Sequence, residues 1–576
     1  MSGSYRPEGR LPVPPAVPAD GPDRKNRDRI RPGRSDEGPA REDRSAASRD
    51  KSGKTKGAGA AKRDTARRGR PPRAAEPRRT AYDVLKAVRD REAYANLLLP
   101  RLLAERGLTG RDAALATELA YGTLRGLGTY DAVLAACSDR PLDKLDPPVL
   151  DVLRLGAHQL LSTRIGAHAA VATSVDLAKS VAGPRVSGYV NAVLRRVATR
   201  DLAAWLDIVA PDPLTDRDGY LATRYSHPRW IVAAYRAALG GTAGDPPHAA
   251  TASSAPGPSE RSDPSASPET AAGETTVTEL DAALAAGNAR PRVSLATFPS
   301  GLPREDIMPA DAMPGRWSPY SFTLQSGDPA PLVESGEAAV QDEGSQLAAI
   351  ALARAPVVPR AGQRNGEPER WLDMCAGPGG KSRLLYGLAG GAAAPASLTA
   401  AELHPHRADL VRQTLTRASQ LPSSAANGAN HRRAFEVVVA DSTKPPWRDG
   451  TFDRVLVDVP CSGLGALRRR PEARWRKSEA DLRELTALQR DLLRAALAAV
   501  RPGGVVAYVT CSPVPAETRD VVAEVVASLP GTDILDTPRA LDGVPDVRAA
   551  DPLFAQLWPH RHGTDGIFIA LLRRAA

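Results

Sequence analysis

The chain has 576 residues, of which 42% are hydrophobic, so it is long enough to form several domains with real cores. Its formal net charge is +10. It contains no run of 18 apolar residues, so we expect no membrane span, and its N-terminal segment is not apolar, so we expect no signal peptide. Only four cysteines occur, none in a CxxC pair, so we expect a reducing cytosol rather than a disulfide framework.

The positive charge is concentrated at the N-terminus. Residues 1–79 carry 22 Lys and Arg against 11 Asp and Glu, whereas the rest of the chain has a net charge of −1. Residues 1–77 are rich in Pro, Gly and Ser without periodicity, which predicts a disordered basic tail. A loose electrostatic tether to nucleic acid and a solvated extension of no specific role are equally compatible with this composition.

Residues 78–200 show a helical pattern. Apolar residues recur at three- and four-residue spacing, as in Tyr82, Leu85 and Val88. This pattern predicts a compact all-α domain of five to seven helices. Cys137 falls on the apolar side of the pattern and is expected in its core.

The middle region, residues 205–345, contains no catalytic signature. Its segment 240–278 is a low-complexity stretch of Ala, Ser, Pro, Gly and Glu, which predicts a disordered surface loop. A strand-like piece follows at 292–296, and His227, before a proline, is expected to be structural. A linking region that guides the substrate is the modest interpretation.

Residues 346–576 alternate between strand and helix patterns, which predicts a doubly wound α/β, Rossmann-like domain. The helix pattern is clearest at 478–500. The predicted strands are 370–374, 398–402, 435–440, 452–458, 504–510 and 566–572.

Two cysteines end predicted strands of this domain. Cys461 lies in the segment Asp458–Gly463, and Cys511 lies in Thr510–Pro513. Because the carboxyl ends of parallel strands face the ligand crevice, both thiols should face one pocket. A free cysteine is often only a small buried hydrophobic residue. Two strand-end thiols flanked by turn-forming residues indicate chemistry instead.

A glycine-rich turn follows the first strand of the same domain, where backbone N–H groups at a helix start can contact a ligand. It does not match the P-loop or GxGxxG spacing. Acids end the next three strands, and although each alone is a common turn residue, together they favour a nucleoside-bearing cofactor. The turn consists of Cys375, Ala376, Gly377, Pro378, Gly379, Gly380 and Lys381, and the acids are Glu402, Asp441 and Asp458.

These motifs carry a resemblance. The segments 373–381, 458–463 and 510–512 resemble the signatures of the RNA cytosine-5 methyltransferases of the NOL1/NOP2/Sun family. The segments 117–125 and 189–196 resemble the NusB family of RNA-binding helical domains, and the combination is similar to the bacterial RsmB (Sun, Fmu) branch. The resemblance implies an all-α NusB-like N-terminal domain and a C-terminal Rossmann-like methyltransferase domain that uses S-adenosyl-L-methionine.

The sequence departs from the family pattern at two positions. Gly377 and Val459 stand where the family usually has alanine. Both changes involve small or apolar residues in loops, so they bear on cofactor affinity rather than on the chemistry.

The resemblance further implies methylation of cytosine C5 in small-subunit (16S) ribosomal RNA. Cys511 would be the nucleophile that adds to C6, and Cys461 would assist product release. The residues alone do not make this choice, because DNA cytosine methyltransferases have the nucleophile in a Pro-Cys motif. The glycine-rich turn, Glu402, Asp441 and Asp458 would bind the cofactor; Asp458 is also suited to grip the cytosine amino group, and Lys381 to orient the base.

The segment 468–477, shortly after Cys461, contains six basic residues around Trp475. It is predicted to grip RNA phosphates at the mouth of the pocket, with a solvated loop as the alternative. The same reaction on transfer RNA, or a non-catalytic assembly factor that binds ribosomal RNA, remain alternative functions. Nothing demands more than a monomer.

No metal site is expected. His404 and His406, and likewise His560 and His562, are spaced like possible ligands, but neither pair has a cysteine or acidic partner at a recognised spacing.

Overall fold

The computed structural model describes residues 75–241, 278–299, 301–360, 368–389, 397–421 and 434–576. The predicted basic tail (1–77) and the predicted insertion (240–278) lie almost entirely outside these residues. Among the helices described, none has both the length and the apolar character needed to cross a membrane.

The α-helices of the described residues are Glu76–Arg91 (α1), Ala95–Glu105 (α2), Gly110–Arg125 (α3), Leu127–Cys137 (α4), Pro147–Ser162 (α5), Ala167–Ala182 (α6), Ser187–Val197 (α7), Leu202–Val209 (α8), Arg217–Tyr225 (α9), Arg229–Ala238 (α10), Glu279–Gly287 (α11), Arg304–Ile307 (α12), Ala330–Glu334 (α13), Glu343–Arg354 (α14), Gly380–Leu388 (α15), Pro405–Gln420 (α16), Ala473–Arg476 (α17), Glu479–Ala499 (α18), Arg519–Ser528 (α19), Thr537–Ala540 (α20) and Pro559–His562 (α21). The β-strands are Val293–Thr297 (β1), Met313–Pro314 (β2), Ser321–Leu324 (β3), Ala338–Val340 (β4), Arg370–Asp373 (β5), Ser397–Glu402 (β6), Phe435–Val439 (β7), Phe452–Asp458 (β8), Val500–Thr510 (β9), Thr532–Ile534 (β10), Ala555–Gln556 (β11) and Phe568–Arg574 (β12).

The N-terminal part of the described chain is all-helical, as predicted. Helices α1 to α7 bury their apolar stripes in one core, which includes Val84, Leu119, Val152 and Leu194. Cys137 is buried in this core, which confirms its prediction. Trp205 of α8 packs into the same core, and α9 and α10 continue the helical part beyond it.

A small antiparallel sheet follows, with strand order β2-β3-β1-β4. Its apolar side chains form a separate cluster that contains Leu295 and Phe322. The sequence pattern predicted only the strand near β1, because the other three strands are four residues long or shorter.

The C-terminal part is an α/β domain built on a mixed sheet of order β10-β12-β9-β8-β5-β6-β7, with β11 paired to β12. The strands β5 to β9 are parallel to their neighbours, whereas β12 runs antiparallel to β9 and to β10. Both faces are covered: α14, α15 and α16 pack on one, and α18 and α19 on the other. This burial explains the apolar runs 455–457 in β8 and 505–509 in β9.

All six strands predicted for this domain are present, with ends shifted by a few residues. The strand order reverses at β5, since β6 lies on one side of it and β8 on the other. In open α/β sheets a ligand crevice forms at such a reversal, outside the carboxyl ends of the strands.

Candidate active site

The glycine-rich turn connects β5 to α15 at this crevice. Gly379 has a φ of +110°, and a Cβ there would lie 3.1–3.3 Å from Thr414 and Val411, so glycine is required. The Gly379 N–H donates to the Ala376 carbonyl, and the Ala376 N–H donates to Ala401 on β6. These bonds close the turn tightly before the first residue of α15, Gly380.

Glu402, at the end of β6, is buried and faces the turn. Its carboxylate accepts hydrogen bonds from the N–H groups of Gly377 and His404, both at 3.1 Å. Arg407 donates to the Gly377 carbonyl at 2.7 Å and lies 3.5 Å from the same carboxylate. A Cβ on Gly377 would lie 2.4 Å from Glu402 Oε2, so this glycine allows the close approach.

Lys381 and Asp458 form an ion pair on the other side of the turn. The Lys381 Nζ lies 2.6 Å from Asp458 Oδ2, at the carboxyl end of β8. Although burial opposes it, the attraction of Asp458 leaves the pKa of Lys381 raised. Asp441, after β7, is exposed, and its Oδ1 accepts from the N–H and hydroxyl of Thr443. This local turn hydrogen bonding leaves its other oxygen available.

Asp373 ends β5 beneath the turn. Its Oδ2 accepts from the Ser382 hydroxyl at 2.7 Å, while its buried Oδ1 has no hydrogen-bond partner among the described residues. Burial raises the pKa of Asp373 to about 7, with a smaller contribution from Asp458. The sequence patterns did not single out this residue, although it occupies a strand end as Glu402 does.

The two strand-end cysteines face each other. The Sγ atoms of Cys461 and Cys511 lie 3.2 Å apart, and both residues are free thiols. They meet because β8 and β9 are adjacent and parallel, with Asp458 opposite Val509. The two thiols therefore lie together, as the strand pattern predicted, and that they face one pocket stays a prediction. Cys375, in the turn, is more isolated, and burial raises the pKa of its thiol well above the usual range.

The surroundings distinguish the two thiols. The pKa of Cys511 is lowered, chiefly by the hydrogen bond from Cys461 and further by the positive charges of Lys381 and Arg470. The pKa of Cys461 is raised well above its usual value, by the hydrogen bond to Cys511, by burial and by the charges of Cys511 and Glu517. The surroundings therefore favour ionisation of Cys511 over ionisation of Cys461.

The basic segment 468–477 is placed differently from the prediction. Arg474 is fully buried, and its guanidinium donates to the Ser226 carbonyl at 3.0 Å and to Asn288 Oδ1 at 2.6 Å. Arg468 and Arg469 form ion pairs with the buried Asp565.

Two further contacts tie the same segment to the helical part. The Ala95 N–H donates to Glu472, and Arg476 donates to the Val88 carbonyl. The prediction that this segment binds RNA phosphates is thus wrong for Arg474, because its guanidinium donates hydrogen bonds to carbonyl groups where the helical part meets the catalytic domain. Arg470 is the exposed arginine of this segment.

The side chains of the histidines considered as metal ligands make other contacts. The rings of His404 and His406 stack at the start of α16, and His560 contacts Glu279. His227 is buried with its Nδ1 on the Tyr225 carbonyl, in agreement with a structural role. Among the described residues, no group of three or more His, Cys, Asp or Glu side chains is arranged to hold a metal ion.

Two family models match this chain. The NusB family matches residues 75–199, and the family described as 16S rRNA methyltransferase RsmB/F matches residues 363–573. The fold and the site therefore define a methyltransferase with a NusB-like helical domain in front of a Rossmann-like catalytic domain.

Relatives of full length give the same result. The chain is 46% identical over 500 residues to the putative methyltransferase Rv1407 of Mycobacterium tuberculosis, covering 86% of this chain and 96% of that protein. It is 30% identical over 514 residues to ribosomal RNA small subunit methyltransferase B of Pseudomonas putida, covering 87% and 99%. The chain belongs to the RsmB/F family of 16S rRNA methyltransferases.

A solved structure supports the fold. The crystal structure of PH0851 superposes with a TM-score of 0.63 over 88% of this chain and 99% of that one, at 20% sequence identity. At this identity the similarity concerns the architecture alone.

Proposed function

We propose that this chain transfers a methyl group from S-adenosylmethionine to C5 of a cytosine in small-subunit (16S) ribosomal RNA, through a covalent bond between Cys511 and C6. The observation that carries the proposal is the pair of thiols 3.2 Å apart, whose pKa values are displaced in opposite directions. C5 of cytosine is a weak nucleophile until a thiolate adds at C6, so the reaction needs one thiolate with a proton donor beside it.

Each thiol has one role in this reaction. The Cys511 sulfur bonds to C6, and the electron pair of the C5–C6 double bond moves to C5. C5 then takes the methyl group as the bond between that methyl and the sulfonium sulfur breaks, which leaves S-adenosylhomocysteine. A base removes the C5 proton, and the returning electron pair breaks the bond between C6 and sulfur. Cys461 keeps its proton throughout and donates a hydrogen bond to the departing sulfur, which assists product release.

The residues at the carboxyl ends of the parallel strands fit S-adenosylmethionine, which when bound supplies an electrophilic methyl group. Gly377 leaves its N–H beside Glu402, whose carboxylate suits ribose hydroxyls. The buried Asp373 Oδ1 without a donor suits an ammonium group. The residues that would hold the cofactor are the turn 375–381, Glu402, Asp441 and Asp458.

The rest of the chain holds the RNA. In this proposal the NusB-like residues 78–200 and the linking region 205–345 bind ribosomal RNA, while residues 346–576 perform the chemistry. The family assignment supports this division, because the NusB match covers the helical residues alone. The target base must leave its stack to reach the cysteines, as enzymes that act on bases require.

The test is transfer of labelled methyl from S-adenosylmethionine to unmodified 16S ribosomal RNA, with transfer RNA in parallel. We expect 5-methylcytosine in the ribosomal RNA only, none with Cys511→Ala, and a protein–RNA adduct stable to denaturation with Cys461→Ala. Label in transfer RNA alone would overturn the substrate. Activity of Cys511→Ala would overturn the nucleophile, and no label with cofactor bound would favour the assembly-factor alternative.

A further inference from the structure

One buried carboxylate lies behind the two cysteines. Glu517 ends a 3₁₀ turn, Pro515–Glu517, six residues after Cys511, and its side chain is completely buried. Its position in the sequence gives no sign of this burial, since an acid just before α19 would ordinarily be a solvated residue of the helix start.

The Glu517 carboxylate accepts four hydrogen bonds, two on each oxygen. Oε1 accepts from the Ser462 N–H at 2.7 Å and from Gln489 Nε2 at 3.1 Å. Oε2 accepts from the Ser462 hydroxyl at 2.5 Å and from the Ser512 hydroxyl at 2.6 Å. A full set of four donors suits an ionised carboxylate, which has acceptors only.

The donors come from the two cysteine loops. Ser462 directly follows Cys461, and Ser512 directly follows Cys511, so one carboxylate binds the neighbour of each thiol. Gln489, on α18, also donates to the carbonyl of Pro460, the residue before Cys461. The Glu517 carbonyl accepts from the Tyr508 hydroxyl on β9 at 2.7 Å, which fixes the turn itself.

No ion pair of Glu517 occurs within the described part of the chain; its hydrogen-bond donors there are the neutral groups named above. Burying an acid without a cation is costly, and apolar residues would fill the same space at lower cost. A role that needs the carboxylate explains its presence better than packing does.

We propose that Glu517 is a positioning residue that ties the Cys461 and Cys511 loops to one buried carboxylate and so holds the two thiols at hydrogen-bonding distance. The inference rests on the proposed function, in which both thiols take part. Glu517 touches neither sulfur through these hydrogen bonds; it acts through the adjacent serines.

The charge of Glu517 has a second consequence. The charge of Glu517 contributes to the raised pKa of Cys461. At Cys511, Lys381 and Arg470 lower the pKa, whereas burial and the negative charge of Asp458 oppose them. The other ionisable groups coupled to the pair are Tyr508 on β9 and Arg469 after the Cys461 loop. Removing the charge of Glu517 should therefore make Cys461 lose its proton at lower pH.

The experiment compares Glu517→Gln with wild type in two assays. The first measures alkylation of each cysteine by iodoacetamide against pH, without RNA or cofactor, by mass spectrometry of the peptides. We expect Cys511 to react at least about tenfold faster than Cys461 in wild type at pH 7.5, and this ratio to fall several-fold in the variant. The second measures methyl transfer, where we expect kcat to fall roughly a hundredfold with KM for S-adenosylmethionine unchanged.

The pH profile of kcat gives a readout that loss of packing would not move. We expect its alkaline limb to shift to lower pH in Glu517→Gln and to return towards wild type in Glu517→Asp, which restores the charge. Glu524→Gln is the matched control, because Glu524 is exposed on α19 and its partner is Arg490. It should leave the alkylation ratio and kcat unchanged.

Each outcome decides the proposal. An unchanged alkylation ratio and kcat in Glu517→Gln would overturn it, whatever the RNA substrate proves to be. If Glu517→Gln does not fold, Ser512→Ala removes the bond from the Cys511 loop to Glu517, together with the hydroxyl that accepts from the Val514 N–H, and an unchanged alkylation ratio there would overturn the proposal equally. If the ratio falls while Cys511→Ala retains full methyl transfer, the positioning role stands and the proposed nucleophile is wrong.

Discussion

Replacing Asp373 by asparagine should stabilise the protein in a way that depends on pH. Burial raises the pKa of this carboxyl from 3.8 to about 7, so the folded state binds its proton more tightly than the unfolded state does. Below pH 4 the Asp373 carboxyl is protonated in both the folded and the unfolded state, so its ionisation does not affect the free energy of unfolding. As pH rises from 4 to 7 the unfolded state ionises first, so wild-type stability falls across this window and is level above it.

The displacement from 3.8 to about 7 corresponds to about 4 kcal/mol, since one pKa unit is worth about 1.4 kcal/mol. Asp373→Asn does not titrate, and its amide oxygen can still accept from the Ser382 hydroxyl. The free energy of unfolding of the variant, relative to wild type, should therefore rise by about 4 kcal/mol between pH 4 and pH 7.

The measurement is urea denaturation of both proteins from pH 4 to pH 8, in the absence of cofactor, followed by circular dichroism. Asp542→Asn serves as the control, because it removes the same charge at an exposed position where water solvates the carboxylate. A difference between Asp373→Asn and wild type that does not change with pH, or that changes in the opposite direction, would refute the reasoning.

Three other substitutions test the geometry. Gly465→Ala would place a Cβ 1.9 Å from a facing backbone carbonyl oxygen beside the Cys511 loop. Methyl transfer by this variant should therefore fall roughly a hundredfold in kinetic assays. Gly188→Ala is the control, because Gly188 has open space around it and its substitution should leave methyl transfer unchanged. Arg474→Met would leave buried acceptors unpaired and should lower the free energy of unfolding by about 3 kcal/mol in urea. Gly377→Ala, which restores the residue usual in the family, would place its Cβ 2.4 Å from Glu402 Oε2, at the end of a side chain that can move, so S-adenosylmethionine binding should change by less than about threefold by calorimetry.

The strands of the catalytic domain could be predicted because a strand buried on both faces of a sheet contains an apolar run, as β8 and β9 do. Strands of two or three residues, such as β2 and β10, carry too few side chains to show a period. The pairing of β10 also depends on residues far along the chain, since it pairs with β12 some 40 positions later.

Contacts between residues far apart in the chain also explain why the prediction for the basic segment 468–477 was wrong for Arg474. A run of arginines suggests a phosphate-binding surface when only its neighbours are known. Arg469 instead pairs with Asp565, 96 positions later, and Arg474 reaches the carbonyl of Ser226, 248 positions earlier. Only the three-dimensional structure shows that these charges are satisfied inside the protein.

The asymmetry of the two thiols has the same origin. Both cysteines end parallel strands, so the strand pattern alone gives them equivalent positions. The pKa of Cys511 is lowered chiefly by the hydrogen bond from Cys461, against burial and Asp458, and further by Lys381 at the start of α15. The pKa of Cys461 is raised by the same hydrogen bond and by burial, and further by Glu517 before α19. A motif around either cysteine could not encode this arrangement, because neither motif contains both charges. Under the proposed function, a substitution at Lys381 or Glu517 should therefore change the relative reactivity of the two thiols without changing either cysteine motif.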